Sequence, residues 1–147
     1  MRGARVFDSW ALLAFFQNKA PAADEVEKIL SAAVARGRTL YLHSVNWTEL
    51  YAALENTAGM ESAAQTAQLL SQLPIEIVGL DNLDLCRLAA WHKTAYELTL
   101  GASFTAALAQ AKRAQIVTGD PQFLRLSPDV AIHWVGDPAS VERRLQE

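Results

Sequence analysis

The chain has 147 residues, a length that suits one domain. With 51% hydrophobic and 20% charged residues it can bury a core, which excludes a disordered tail. A net charge of -3 (13 basic against 16 acidic residues) excludes a global basic field for nucleic acid, and a single cysteine, Cys86, excludes an internal disulfide framework.

Arg5 to Asp8 reads as a short buried strand that stops on a carboxylate. Ser9 then caps a helix to about Gln17, with Leu12, Leu13, Phe15 and Phe16 apolar. Pro21 marks a break. A second helix, with Asp24 early and Val26, Ile29, Leu30, Ala33 and Val34 apolar, ends near Gly37. Thr39 to His43 is a second strand, and Ser44 caps a third helix with Val45, Leu50 and Leu54 facing inward. Gly59 separates a fourth helix, Glu61 to Leu73, which Pro74 stops. Ile75 to Val78 is a third strand, and Asp81 starts a long helix through Tyr96. Gly101 breaks the pattern before a helix from Ser103 to Arg113. Strands follow at Gln115 to Thr118 and Ala131 to Val135, and Pro138 to Leu145 closes the chain as a short helix.

Strands alternating with helices call for a three-layer α/β/α fold with a mostly parallel sheet of about five strands. Cys86 falls in the apolar pattern of Leu83 and Ala90 and reads as core. Asp8 interrupts any signal-like core near the N-terminus, and no segment reaches the ~18 apolar residues of a membrane span. A soluble cytoplasmic protein is the expectation.

Two strands end on acids, Asp8 and Asp120, and open α/β sheets bind ligands at that edge. Asp8 could equally cap a helix, and Gly119-Asp120-Pro121 is ordinary turn chemistry. Glu49 follows the second strand by a turn or two of helix, which brings it to the same edge. Thr118 is placed to orient a carboxylate, and Ser9 to orient a carboxylate or water. His43, His92 and His133 lack metal-ligand spacing and read as structural. Ser9 has no evident histidine base, and no glycine-rich phosphate loop exists. Lys112-Arg113 and Arg143-Arg144 read as solvated helix ends.

Three blocks together resemble the PIN-domain family, most closely its VapC-type toxins. They are Val6-Phe7-Asp8-Ser9, Ser44-Val45-Asn46-Trp47-Thr48-Glu49-Leu50, and Leu98 to Ala109 running into Ile116-Val117-Thr118-Gly119-Asp120-Pro121-Gln122-Phe123. The resemblance implies a metal-dependent endoribonuclease toxin of a toxin–antitoxin pair. Asp8, Glu49 and Asp120 would hold one or two Mg²⁺ or Mn²⁺ ions, with Ser9 and Thr118 behind them. A further acid is expected where this chain has Ala102. Fewer carboxylates offset less ion charge, so activity should be weak or absent, down ~10²-fold or more.

The resemblance further implies an RNA substrate, a VapB-like antitoxin and a homodimer. Trp10, Phe15, Trp47 and Tyr51 would line the antitoxin groove, although aromatic stripes at helical spacing are usually core. A non-catalytic PIN-like module that binds RNA or protein is the alternative reading. An unrelated metal-binding phosphatase would call for a second aspartate two residues after Asp8, where this chain has Trp10.

Overall fold

A computed structural model describes residues 3–79 and 81–136. The elements run β1 (Arg5–Phe7), α1 (Ser9–Phe16), α2 (Ala22–Arg36), β2 (Leu40–His43), α3 (Ser44–Ala58) and α4 (Met60–Ser71). They continue with β3 (Ile75–Val78), α5 (Leu83–Tyr96), α6 (Leu100–Lys112), β4 (Gln115–Thr118), a 3₁₀ turn (Pro121–Arg125) and β5 (Ile132–Trp134). All strand pairings described are parallel, in the order β3-β2-β1-β4-β5. The expected three-layer α/β/α arrangement is the one observed. The proposed closing helix, Pro138 to Leu145, and Arg143-Arg144 lie outside the described residues.

Successive residues of the central strands face opposite layers, as the pleat requires. Val6, Tyr41 and Ile116 join the core beneath α5 and α6. Phe7, Leu40, Leu42 and Val117 join the core beneath α1 to α4. Because both faces are covered, β2 is buried throughout, while the edge strand β3 is only partly covered. In α6 every residue from Gly101 to Ala109 is buried; its glycine, serine and alanines let it sit close to the sheet and to α5.

Four helix starts differ from the sequence reading, each for a local reason. Asp8, not Ser9, caps α1 by accepting the Ala11 N–H at 2.9 Å. His43, not Ser44, caps α3, its Nδ1 accepting the Val45 N–H at 3.1 Å. Asn82 caps α5 in place of Asp81. Gly101 does not break α6: it lies in the first turn, behind the cap Thr99, and is kept by a tertiary contact described below. Val34, expected on the apolar face of α2, is exposed, and Cys86 is only half-buried against the core. Among the described residues no helix is long and apolar enough to cross a membrane.

Candidate functional site

The chain visits β1, β2 and β3 on one side and then returns to place β4 on the other side of β1. That reversal opens a crevice beyond the C-terminal ends of β1 and β4. Asp8 follows β1 and Asp120 follows β4, so both acids arrive there. A cleft of about 230 Å³ at this edge is lined by Asp8, Ser9, Asn46, Glu49, Ala102 and Asp120, with Thr99, Gln122 and Phe123. All four positions singled out for the acid set therefore face one cavity.

Asp8 is 3% exposed, and each of its carboxylate oxygens accepts one hydrogen bond. Its Oδ1 takes the Ala11 N–H, and its Oδ2 accepts the Thr118 hydroxyl in a very short hydrogen bond. The same Thr118 Oγ1 accepts the Asp120 N–H at 2.9 Å, so one hydroxyl ties the two acids together. Burial pushes the Asp8 carboxyl up to about 7, opposed by the Thr118 and Ala11 hydrogen bonds and reinforced by the nearby Asp120 charge. Glu49 is exposed as a residue, but its carboxyl end leans inward. There partial burial, and then Asp120, raise its pKa.

Several residues that build the cleft were not singled out from the sequence. Asn46, 1% exposed, accepts the Ser9 N–H at 3.2 Å and donates to the Gly101 carbonyl at 3.0 Å, clamping the start of α1 to the start of α6. Gln122 donates its amide to Asp120 Oδ2 at 2.7 Å. Its Oε1 accepts the Thr99 N–H at 2.9 Å and the Thr99 hydroxyl at 3.1 Å. A methyl group at position 101 would collide with the Glu49 carboxylate, and one at position 119 with the Trp10 indole. Close approach thus requires glycine at 119, against a packed ring, while at 101 it lets the flexible end of Glu49 reach the start of α6. An Asn three residues before Glu49, and a glycine just before Asp120 and just before position 102, were the available hints.

The aromatic residues assigned to a groove are distributed differently. Trp10 lies against Gly119 and Gly136, behind Asp120. Trp47 and Tyr51 stack with ring centroids 5.1 Å apart and pack towards α4, and Phe15 meets Phe16 edge-on. All four are half-buried against the core under α1 to α4.

Whether the acids suit a divalent ion can be judged from the donors. They are all oxygen, the preference of Mg²⁺ and Mn²⁺. Burial first, and then the charge of Asp120, holds Asp8 and Glu49 above the ordinary carboxylate range, and a cation beside them would favour their charged forms. Among the described residues, however, no three His, Cys, Asp or Glu side chains already converge at ligating distance. The set fits an ion that keeps several waters and takes few protein ligands.

Carboxylates gathered at the switch point of a five-stranded parallel sheet define an α/β protein with an acid-lined site. The chain belongs to the PIN-domain family, whose model matches residues 5–127. Its fold is similar to that of a chain in the structure of VapBC2 from Rickettsia felis bound to a promoter DNA fragment (TM-score 0.68, 15% identity, 90% of this chain and 99% of that one). It is also similar to VapBC-1 from nontypeable Haemophilus influenzae (0.65, 16%, 89% and 97%). A third similar structure is VapC20 from Mycobacterium tuberculosis, a sarcin-ricin loop cleaving toxin (0.63, 14%, 82% and 92%). No curated protein matches the chain in sequence.

Proposed function

We propose that this chain is a metal-dependent endoribonuclease toxin of the VapC type, weakened by alanine at position 102. The observation that carries the reading is the single cleft shared by Asp8, Glu49, Asp120 and Ala102. Asp8, Glu49 and Asp120 would hold Mg²⁺ or Mn²⁺. When bound, such an ion neutralises phosphate charge and acidifies a water for in-line attack.

The chain's own groups do the positioning. Thr118 fixes Asp8 and Asp120 relative to each other through one oxygen. Gln122 holds Asp120 against the start of α6, and Asn46 holds that start against α1. Gly101 admits the Glu49 carboxylate. Hydrolysis forms a new P–O bond to the water oxygen and releases the leaving oxygen. The water's proton needs an acceptor, and Glu49, the most exposed of the three acids, is the accessible one.

A VapB-like antitoxin and a homodimer belong to the same proposal. The antitoxin takes support from the similar structures that are VapBC complexes. The remaining open faces of Trp10, Phe15, Trp47 and Tyr51 would then meet the antitoxin. A second reading, a non-catalytic PIN module that binds RNA or protein, is favoured by Ala102 and by the unconverged carboxylates.

The two readings separate in one experiment. Total cellular RNA is incubated with Mg²⁺ or Mn²⁺ and either this chain or its Ala102→Asp variant. The nuclease reading expects cleavage to rise about 10²-fold in the variant. No cleavage by either protein, with both folded, favours the binding module.

A further inference from the structure

At the opposite end of the sheet, the N-terminal ends of β1 and β4 open into a cleft of about 800 Å³. It is larger than the carboxylate cleft and falls within the ~300–1,000 Å³ usual for small-molecule sites. Arg5, Trp91, His92, Tyr96, Arg113 and Asp129 are the lining residues that carry chemistry.

Two independent features point to a ligand. The first is uncompensated charge. Arg5 and Arg113 both line this cleft, and among the described residues neither forms a salt bridge. Burial and the neighbouring Arg38 lower the Arg5 pKa, so the guanidinium would gain from an anion.

The second feature is an open aromatic corner. Trp91 meets His92 and Tyr96 edge-on, at interplanar angles of 79° and 85°. Neither neighbour stacks on the indole, and the residue is 56% exposed. A planar ring can therefore stack there, as bases do on aromatic side chains.

A ligand that satisfies both features combines a flat heterocycle with an anion. We propose that this cleft is a nucleotide-binding site, remote from the carboxylates, that stacks a base on Trp91 and takes its phosphate at Arg5 and Arg113. The Asp129 carboxylate on the same lining is an acceptor, which suits a base carrying an exocyclic amino group. A free mononucleotide and one unit of an RNA strand present the same groups. The assignment does not depend on RNA cleavage at the other end of the sheet.

The test is isothermal titration of the full chain, in EDTA to silence metal-dependent cleavage. The probes are AMP, UMP, inorganic phosphate and a ten-nucleotide oligoadenylate. Trp91→Ala removes an exposed ring. Arg113→Gly keeps the left-handed helix cap, since Arg113 has φ 50° there. The expected result is AMP binding tighter than UMP and phosphate, weakened about tenfold by either substitution with circular dichroism unchanged. Oligoadenylate binding more tightly than AMP identifies an RNA strand as the source; equal affinity identifies the free nucleotide. The proposal is overturned if neither AMP nor oligoadenylate binds, if phosphate binds as tightly as AMP, or if both folded variants bind AMP as the parent does.

Discussion

Asp8, Glu49 and Asp120 crowd one end of the sheet, and Arg5, Arg38 and Arg113 crowd the other, strands of three or four residues apart, or roughly 10–13 Å. The acidic end is wired: Thr118, Asn46 and Gln122 each bridge two elements there. The basic end is open, with a large cleft whose two arginines, Arg5 and Arg113, form no salt bridge among the described residues. The chemistry of the charges explains the contrast. A buried carboxyl can take up a proton, as the pKa of about 7 at Asp8 indicates, and so survive burial until a cation arrives. Arginine keeps its proton at any ordinary pH, so crowded guanidinium groups need room, water or an anion.

The contrast can be broken or sharpened by substitution. The largest effect is expected from Gly119→Ala. Its methyl group would strike Trp10, so the indole must leave its seat behind Asp120 at a cost of about 2–3 kcal/mol, read as a lowered Tm. Asn46→Ala comes next. It strips partners from the Ser9 N–H and the Gly101 carbonyl, for about 2 kcal/mol in urea unfolding. Arg38→Ala, at the open end, should stay within about 0.5 kcal/mol. Equal costs for Asn46→Ala and Arg38→Ala would abolish the distinction between the two ends.

Asp8→Asn tests the proton. The folded pKa of about 7 lies above the ordinary 3.8, so the native state holds a proton that the unfolded chain has released. The stability Asp8 contributes is therefore full below about pH 4 and is lost as pH rises through 7. Asparagine can still cap α1 and never charges. In EDTA the variant should gain about 2–3 kcal/mol on the parent between pH 5 and pH 8. A pH-independent difference would mean that Asp8 is already ionised at pH 5. The smallest effect on stability is expected from Gly101→Ala, within about 0.5 kcal/mol, because the exposed Glu49 can swing away. Mn²⁺ affinity, followed by titration calorimetry, should nevertheless fall about tenfold. Unchanged affinity would remove Glu49 from the proposed metal set.

Local signals in the chain were enough for the five strands, the six helices described and the placement of acids after β1 and β4. A buried strand shows as an apolar run and a helix as a 3.6-residue period, both within a few residues of chain. They were also enough to bring Glu49 to the same edge, because a residue one turn into the helix after a parallel strand has only that edge to occupy. Cap identities were less legible: Asp8 and Ser9 are both good caps, and a histidine such as His43 is an unusual one.

What only the tertiary structure decided are contacts between residues far apart in the chain. Asn46 joins residues 37 and 55 positions away, and Thr118 reaches Asp8 across 110. No window of sequence contains such pairs. Gly101 and Gly119 looked like breakers and turn residues until Glu49 and Trp10 were seen against them. Which side chains share the ends of β1 and β4 follows from strand order, and strand order is set by how the two layers of helices bury both faces of the sheet at once.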